Sequence, residues 1–510
     1  MNTERTFQNI LDYWASIKPD ETACFDELCS VTYKEMADAC NALAISLTEK
    51  GVVKGDKILT LMRNSYEFII IYFASVKMGA VLVPCNATSG KFEIEKRLKM
   101  LAPKVVFTSE DKWLTTINRK SNAIVITVRF GRKGNQLFDE LVSVKPSDIF
   151  KCAEIDVYDD IFAIVITSGS TCEGKGVMLT YDNILHSAVN IGEQLECTDK
   201  DVFFVPLPFS HMFCLNTGIL TPFYFGCKII LAYKFEANRA LDLIEQNKAT
   251  VHLGVPTMFI RELHEQSVRK RDMTSLRTGV IAGAGCSANL VCDIETHLHC
   301  KILIAYGSTE SNAVSMTSLD DDPEERCSTV GRIFDTTEVK ILNDDGSWAL
   351  CGERGEILCK GRSVMKGYLN GLNETGGCGF DLEGWHHTGD VGAIDKGGFL
   401  KVIGRKKDII IRGGYNVSPS EIEEALFDHP DVLEVCALGE SNEDLGERIC
   451  LFVVPNDNSN ITVDSIKNYV VDRVARYKQP DCIVILDAIP KLENGKYDCC
   501  LLRRMLKNKN

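Results

Sequence analysis

Residues 164–178 read IVITSGSTCEGKGVM, an apolar run that opens into a loop of small residues with one lysine. Gly169 to Lys175 match GxxxxGK, the core of a P-loop, which also needs a Ser or Thr after the lysine and a helix that starts at the loop. A glycine follows Lys175 instead, residues 177–180 have the pattern of a strand, and the next helical pattern begins only near Asp182. The stretch is therefore predicted to be a loop between two strands and not a P-loop.

A loop of this kind can still bind phosphates. Small residues let successive backbone N–H groups point at an anion, and the hydroxyls and the lysine add donors. A Walker-B-like run at 483–487 does not revive the P-loop interpretation, because four apolar residues before an Asp are typical of many buried strands. The candidate phosphate contacts are Thr167, Ser168, Gly169, Ser170, Thr171 and Lys175.

Composition excludes several classes of protein. With 510 residues, the chain is expected to form two or more domains. A net charge of −14 argues against a nucleic-acid-binding or anionic-membrane-binding protein. The 21 cysteines include no CxxC pair, which argues against zinc ribbons and thioredoxin-type sites. No signal peptide or membrane-spanning stretch is recognised, so a cytoplasmic protein is expected. We also expect a monomer or a homodimer.

Helix-like and strand-like patterns alternate through the first 330 residues. Residues 32–50 and 67–78 have helical periodicity, while 57–62 and 80–84 have strand patterns. This alternation is typical of βα units and predicts an α/β fold with doubly wound subdomains.

The pattern changes in the last third of the chain. Short strands with glycine turns follow residue 330 and predict a small β-barrel-like part. The final hundred residues combine two helical segments with strands and predict a small α+β domain. We therefore expect a large N-terminal domain over 1–405 and a small mobile C-terminal domain over 406–510.

Seven further segments follow the loop in a fixed order over some 330 residues. They are Leu207-Pro-Phe-Ser-His211, Tyr306-Gly-Ser-Thr-Glu310, Gly355-Glu-Ile357 with Met365-Lys-Gly-Tyr368, Trp385-His-His-Thr-Gly-Asp390, Gly404-Arg-Lys-Lys-Asp408, Gly413-Gly-Tyr-Asn416, and Pro490-Lys491 through Gly495-Lys496. With these motifs the chain resembles the adenylate-forming superfamily of acyl- and aryl-CoA synthetases, peptide-synthetase adenylation domains and beetle luciferases. The resemblance extends over nearly the whole chain.

The resemblance implies a two-step reaction. A carboxylate attacks the α-phosphate of ATP to give an acyl-adenylate and pyrophosphate, and a thiol of CoA or of a carrier-protein phosphopantetheine then takes the acyl group. By the same resemblance, Lys496 bridges the carboxylate and the α-phosphate, and Thr309 binds that phosphate. Glu310 is the implied Mg²⁺ ligand, and His211 is placed where the acyl pocket meets the thiol channel.

The resemblance also implies how the nucleotide is held and how the domains move. Tyr306 would stack on adenine, with the backbone of Gly283, Ala284 and Gly285 as the other wall, and Gly307 would also contact the nucleotide. Asp390 and Arg405 would bind the ribose and phosphate region. Lys407 occupies the hinge position. After a domain rotation, Gly413, Gly414 and Tyr415 would line the thiol channel.

The residues in and after the segment Leu207-Pro-Phe-Ser-His211 predict the class of acid. Adenylation domains for α-amino acids carry an Asp after the phenylalanine of that segment, and here Ser210 stands there. A mostly apolar pocket therefore favours a fatty or aryl acid. Its predicted lining is Met212, Phe213, Cys214, Asn216 and Met258.

Five positions depart from the pattern of the superfamily. Cys172 and Gly174 replace the usual glycine and proline of the phosphate loop, and Ala305 replaces an Asn or Gln beside adenine. Cys286 stands where proline is common, and Cys499 stands where an arginine usually follows the catalytic lysine by three residues. Three functions stay open on this basis: an acid–CoA ligase, a ligase that loads a carrier protein, and a non-catalytic nucleotide- or acyl-binding relative.

Overall fold

The computed structural model describes residues 5–129, 136–143, 149–167, 175–369, 379–413, 415–427, 429–442, 444–456, 459–471, 473–492 and 496–507. Five of the predicted site residues lie outside the described residues. They are Ser168, Gly169, Ser170 and Thr171 of the phosphate loop and Gly414 of the thiol channel.

The strands are numbered along the described chain. They are β1 (Thr22–Phe25), β2 (Ser30–Thr32), β3 (Lys57–Met62), β4 (Val81–Asn86), β5 (Val105–Thr108), β6 (Ile124–Thr127), β7 (Gln136–Leu137), β8 (Ile161–Thr167), β9 (Lys175–Thr180), β10 (Val202–Val205), β11 (Lys228–Leu231), β12 (Val251–Gly254), β13 (Thr278–Ala282), β14 (Lys301–Ser308), β15 (Asn312–Met316), β16 (Arg332–Ile333), β17 (Thr337–Leu342), β18 (Gly355–Gly361), β19 (Gly367–Tyr368), β20 (His386–Ile394), β21 (Leu400–Arg405), β22 (Ile410–Arg412), β23 (Tyr415–Val417), β24 (Val432–Asn442), β25 (Gly446–Pro455) and β26 (Cys482–Ile485).

The helices are numbered in the same way. They are α1 (Ile10–Ile17), α2 (Tyr33–Glu49), α3 (Tyr66–Met78), α4 (Lys91–Leu101), α5 (Leu114–Lys120), α6 (Phe138–Val142), α7 (Tyr181–Gln194), α8 (Thr221–Phe225), α9 (Ala237–Asn247), α10 (Pro256–Val268), α11 (Ala288–Leu298), α12 (Pro323–Ser328), α13 (Pro419–Phe427), α14 (Val463–Val471) and α15 (Cys499–Lys507). Short 3₁₀ helices cover Asp111–Trp113 and Arg476–Lys478, and a π-helix covers Cys214–Leu220.

Two large sheets form the N-terminal part of the molecule. One has the strand order β16-β15-β14-β13-β12-β10-β11-β1-β2, and the other has the order β19-β9-β8-β4-β3-β5-β6-β7. Their central strands pair in parallel. These strands are almost continuously buried, as expected where helices cover both faces of a sheet. The predicted α/β fold with doubly wound subdomains is confirmed.

The longest apolar stretch of the sequence is part of this core. Residues 68–84 form most of α3 and the start of β4, and both elements are buried. Within the described residues, no helix is long and apolar enough to cross a membrane.

The strands on either side of residues 168–174 pair with each other and are antiparallel. Thr167 at the end of β8 lies opposite Lys175 at the start of β9, and α7 begins only at Tyr181, with the Thr180 side chain accepting from the Asn183 N–H. The strand before the loop therefore does not lead into a helix, which confirms the sequence argument against a P-loop. Residues 483–485 of the Walker-B-like run lie in β26, which belongs to a different sheet.

Two smaller sheets complete the described fold. The part expected to be β-barrel-like contains an antiparallel sheet with the order β17-β18-β20-β21. The C-terminal domain contains the order β23-β22-β25-β24, with β26 parallel to β25 and helices α13 to α15 packed nearby. Lys407 is exposed in the turn between β21 and β22, where one sheet ends and the next begins.

Candidate active site

The carboxyl ends of four neighbouring strands of the nine-stranded sheet meet at one edge. Because β10, β12, β13 and β14 run parallel, the residues that follow them come together there. These residues line part of an open cavity of about 160 Å³. The predicted site residues that line it are His211, Met212, Phe213, Cys214, Asn216, Gly283, Tyr306, Gly307, Thr309 and Lys496.

Tyr306 connects the nine-stranded sheet to the four-stranded sheet β17-β18-β20-β21. Its hydroxyl donates to Oδ2 of Asp390 at 2.8 Å, and Arg405 Nε lies 3.2 Å from Oδ1 of the same carboxylate. Asp390 and Arg405 are directly opposite each other on β20 and β21. Burial raises the pKa of Asp390, and Arg405 opposes that shift. Each carboxylate oxygen accepts more than one hydrogen bond, so the group keeps acceptor capacity for a ligand.

Glu310 lies in the tight turn between β14 and β15. The Ser308 hydroxyl accepts from the Glu310 N–H at 3.1 Å and from the Ser311 N–H at 3.1 Å, which fixes the turn. A Cβ on Gly307 would lie 1.7 Å from the carbonyl oxygen of Asn312, so only glycine fits there. The motif Tyr-Gly-Ser-Thr-Glu is thus explained locally: the glycine permits the close approach, and the serine holds the backbone of the glutamate.

Tyr368 is a site residue that the sequence analysis did not single out. Its hydroxyl donates to Oε1 of Glu310 at 3.1 Å, and its ring centroid lies 4.9 Å from Nζ of Lys175. Pairing of β19 with β9 brings it there, with Tyr368 opposite Val177. The signal was present in the quoted Met365-Lys-Gly-Tyr368 segment, but only the pairing of distant strands shows that it joins the phosphate loop to Glu310.

The carboxylate of Glu310 could be the protein ligand of a Mg²⁺ ion that is bound together with a nucleotide. Within the described residues there is no group of three or more His, Cys, Asp or Glu side chains that could hold a metal. Mg²⁺ bound with a nucleotide typically takes only one or two carboxylates and completes its shell with phosphates and water. A lone hard oxygen donor beside Lys175 and Tyr368 suits that arrangement.

Lys496 reaches the cavity from the C-terminal domain. A Cβ on Gly283 would lie 3.4 Å from its Cε and 3.6 Å from its Nζ. Burial and the nearby Arg405 lower the pKa of the Lys496 ammonium, while Asp390 acts in the opposite direction. The Leu492 N–H donates to the Lys496 carbonyl at 2.8 Å, which anchors the segment that carries the lysine.

His211 lines the same cavity. Its carbonyl accepts from the N–H groups of Cys214 and Leu215 at 3.0 Å each, so it begins the helical turn that continues into the π-helix. Burial lowers the pKa of His211 to about 4, and the charge of Lys496 acts in the same direction. The imidazole is therefore neutral near pH 7.

Other predicted residues lie outside this cavity as far as the described residues define it. Met258 is buried in the core on α10, and Ala284 and Gly285 are exposed beside Gly283. Gly413 is exposed, and its N–H donates to the Leu445 carbonyl at 2.7 Å. Tyr415 is also exposed and stacks on Tyr477, with ring centroids 4.6 Å apart. Among the departures from the pattern, Ala305 lines the cavity.

Comparison with known protein families gives a direct result. The family model for AMP-binding enzymes matches residues 11–369, and the model for the AMP-binding enzyme C-terminal domain matches residues 421–496. The chain belongs to the AMP-binding enzyme family.

Relatives of this AMP-binding enzyme are acyl-CoA ligases. It is 31% identical to the medium-chain fatty-acid–CoA ligase of Escherichia coli, over 97% of this chain and 90% of that protein. It is 30% identical to the mitochondrial medium-chain acyl-CoA ligase ACSF2 of Homo sapiens, over 93% of this chain and 83% of that protein. The protein is thus an AMP-forming acid–thiol ligase of the acyl- and aryl-CoA ligase family.

Solved structures agree with this assignment over nearly the whole chain. ATP-bound MatB from Rhodopseudomonas palustris matches with a TM-score of 0.89 and 26% identity, over 98% of this chain and 99% of that one. The o-succinylbenzoate CoA synthetase MenE of Bacillus subtilis, in complex with its acyl-adenylate intermediate, matches with a TM-score of 0.81 and 27% identity, over 98% of each chain. The large N-terminal domain and the C-terminal domain are common to all three.

Proposed function

We propose that this AMP-binding enzyme activates a fatty or aryl carboxylic acid with ATP and transfers the acyl group to CoA. The single observation that carries the proposal is that Lys496 lines a mostly apolar cavity which also contains Thr309 and Tyr306. The cation of Lys496, the predicted nucleotide contacts Tyr306 and Thr309, and space for an acyl group therefore meet in one cavity. Acyl-adenylate formation requires this arrangement.

The size and lining of the cavity favour a compact, uncharged acyl group. Its volume of about 160 Å³ is close to that of an engineered cavity of about 150 Å³ that binds benzene. No Asp, Glu or Arg is among the described residues that line it, and its one lysine, Lys496, is the group that we expect to contact the reacting carboxylate. A charged tail would lose its hydration without gaining a partner, which is costly. An aryl group or a short to medium alkyl chain fits both constraints.

The nucleotide would be bound by residues from two sheets. Tyr306 would support the base, and Asp390 would accept from the ribose hydroxyls while keeping its contacts with Tyr306 and Arg405. Lys175 would donate to the terminal phosphates from the start of β9. Glu310 would hold Mg²⁺, which when bound offsets the negative charge of the phosphates.

In the first step, a carboxylate oxygen of the acid attacks the α-phosphorus, and the bond to pyrophosphate breaks. The Lys496 ammonium would donate to the carboxylate and to an α-phosphate oxygen, which brings two anions together and stabilises the charge that develops between them. Thr309 would add a hydrogen bond to the same phosphate. Electrostatic stabilisation of this kind is usually the largest catalytic contribution.

In the second step, the thiolate of CoA attacks the acyl carbonyl and AMP leaves. We propose that rotation about Lys407, at a boundary between residues 405 and 406, withdraws Lys496 and presents Gly413, Gly414 and Tyr415 to the site. The exposure of Gly413 and Tyr415 in the present arrangement supports this order. The neutral His211 would position the acyl carbonyl where the pocket meets the thiol channel.

Pyrophosphate release over a panel of benzoates and of C4 to C12 fatty acids tests the proposal. We expect ATP- and acid-dependent release, and formation of acyl-CoA when CoA is added. Acyl transfer only to a phosphopantetheinylated carrier protein would identify the carrier-protein ligase instead. ATP binding without pyrophosphate release for any acid would identify a non-catalytic binder.

A further inference from the structure

A buried carboxylate of the C-terminal domain contacts two basic side chains, and one of them belongs to the N-terminal domain. Glu434 lies near the start of β24 and is 4% exposed. Nζ of Lys491 donates to its Oε1 at 2.5 Å, and Nη2 of Arg261, on α10, lies 3.5 Å from the same oxygen. The two cations at Oε1 therefore offset the cost of burying this charge.

The first of these cations belongs to the segment that carries Lys496. Lys491 pairs with Tyr497 in an antiparallel bridge, and the Leu492 N–H donates to the Lys496 carbonyl at 2.8 Å. The ring centroid of Tyr497 lies 5.7 Å from Nζ of Lys491, and the ring packs against apolar side chains of β24, β25 and α15. Because Glu434 holds Lys491, it also fixes the backbone that is paired with Lys496.

The second cation, Arg261, lies on the helix that begins at the edge of the active-site cavity. Val255 lines the cavity and directly precedes α10, so Arg261 lies in the second turn of this helix. Burial lowers the pKa of Lys491, Glu434 opposes this shift, and the charge of Arg261 adds to it, which agrees with close contact among the three charges. The contact between Arg261 and Glu434 therefore links the rim of the cavity to the domain that carries the predicted catalytic lysine.

We propose that Arg261 is a positioning residue for the adenylation step, which acts through Glu434 and Lys491 to hold Lys496 at the cavity. The inference rests on the proposed function, because it adds a residue to the first step of that reaction. A rotation that withdraws Lys496 would carry Glu434 away from Arg261. Their attraction therefore favours only the arrangement in which the acyl-adenylate forms. Loss of the contact slows the first step and spares the second.

Charge reversal at Arg261 provides the test. The side chain is 51% exposed, so its replacement does not disturb a core. Arg261→Glu places a like charge opposite Glu434, and Arg261→Lys keeps the cation. Arg269→Glu is the matched control, because Arg269 is exposed directly after the same helix and contacts Asp242 of the N-terminal domain at 2.8 Å.

Three measurements are made on each variant. Pyrophosphate release from ATP and acid measures the first step, and acyl-CoA formation from supplied acyl-adenylate measures the second. Hydrogen–deuterium exchange of a peptide that contains the Leu492 N–H measures, without turnover, how firmly the segment that carries Lys496 is held.

We expect Arg261→Glu to lower the rate of pyrophosphate release at least about ten-fold, because like charges that face each other across an interface repel strongly. Acyl-CoA formation from the adenylate should match wild type, and the Leu492 N–H should exchange faster. Arg261→Lys and Arg269→Glu should resemble wild type in all three measurements. Equal losses in the two reactions, an unchanged rate of pyrophosphate release, or unchanged exchange in Arg261→Glu would overturn the inference.

The exchange measurement separates this inference from the proposed function. If wild type releases pyrophosphate with some acid and Arg261→Glu does so equally well, only the inference is wrong. If wild type releases none with any acid while Leu492 exchanges faster in Arg261→Glu, the contact holds the segment as inferred and the proposed ligase activity is wrong. If neither pyrophosphate release nor faster exchange is observed, both are wrong.

Discussion

The Tyr306 hydroxyl donates a 2.8 Å hydrogen bond to the Asp390 carboxylate, and this bond joins the nine-stranded sheet to the antiparallel sheet. Arg405 contacts the other oxygen of the same carboxylate. The group that we expect to bind ribose is thus held from both sides before any ligand arrives. Such preorganisation means that little ordering is needed on nucleotide binding.

Asp390→Asn should weaken ATP binding strongly. The amide keeps the shape of the carboxylate but loses its charge, which leaves Arg405 without its partner and weakens the bonds to the ribose hydroxyls. Hydrogen bonds to charged groups contribute about 1.5–3 kcal/mol, so the KM for ATP should rise roughly 10- to 100-fold. Steady-state kinetics at saturating acid measures this. Asp344→Asn, at a side chain that is 92% exposed in the connection between β17 and β18, should leave the KM unchanged. A normal KM for Asp390→Asn would contradict the role of this residue.

Tyr368→Phe tests the connection between the phosphate loop and Glu310. The ring beside Lys175 is kept, and only the hydroxyl that donates to Glu310 is lost. We expect the KM for Mg²⁺-ATP to rise about five-fold, the effect of one hydrogen bond worth about 1 kcal/mol. Kinetics at several Mg²⁺ concentrations checks it, with Tyr233→Phe at an exposed position as control. If the KM of Tyr368→Phe equals that of wild type, the Tyr368 hydroxyl does not contribute to binding of Mg²⁺-ATP.

His211 should make the stability of the protein depend on pH in a defined window. Its folded pKa is about 4, below the value of about 6.5 for an unfolded histidine. Below pH 6.5 the unfolded chain binds a proton that the folded chain does not bind, so stability falls as the pH is lowered from 6.5 towards 4. Above pH 6.5 the group has no effect. The loss should reach about 2–3 kcal/mol near pH 4.

Denaturant unfolding at pH 4.5 to 7.5 measures this contribution. His211→Gln should show a shallower decline of the free energy of unfolding than wild type. His297→Gln, at an exposed position on α11, should follow wild type. Parallel curves for wild type and His211→Gln would show that the imidazole is not held neutral by burial.

Much of the fold could be predicted because it depends on local pattern. The helix predicted over 32–50 is α2, which starts after a capping box between Thr32 and Glu35, and the strand predicted over 57–62 is β3. The loop at 168–174 was predicted to join two strands because the residue after Lys175 was wrong for a P-loop. In each case neighbouring residues contain the whole signal.

The missing parts of the site depend on contacts between distant segments. Tyr368 reaches Glu310 only because β19 pairs with β9, and Asn312 lines the cavity only because β15 turns back on β14. No periodicity predicts such contacts. Met258, which was predicted to line the acyl pocket, is buried on α10 and is not among the described residues that line the cavity. An apolar residue near a predicted pocket can face the core as readily as the ligand. The π-helix around Asn216 likewise has no pattern of its own in the sequence.

The position of Lys496 beside Gly283 supports the central claim, that this residue acts in adenylation and not in acyl transfer. Lys496→Ala separates the two steps, with Lys467→Ala on the exposed face of α14 as a matched control in the same domain. One assay measures pyrophosphate release from ATP and acid, and the other measures acyl-CoA formation from supplied acyl-adenylate.

The ratio of these two rates in Lys496→Ala is the decisive measurement. We predict that pyrophosphate release falls at least about 100-fold, as for loss of a charge-stabilising group that costs about 2.7 kcal/mol or more. Acyl-CoA formation from the adenylate should stay within a few-fold of wild type. An equal loss in both assays, or an unchanged rate of pyrophosphate release, would contradict the account.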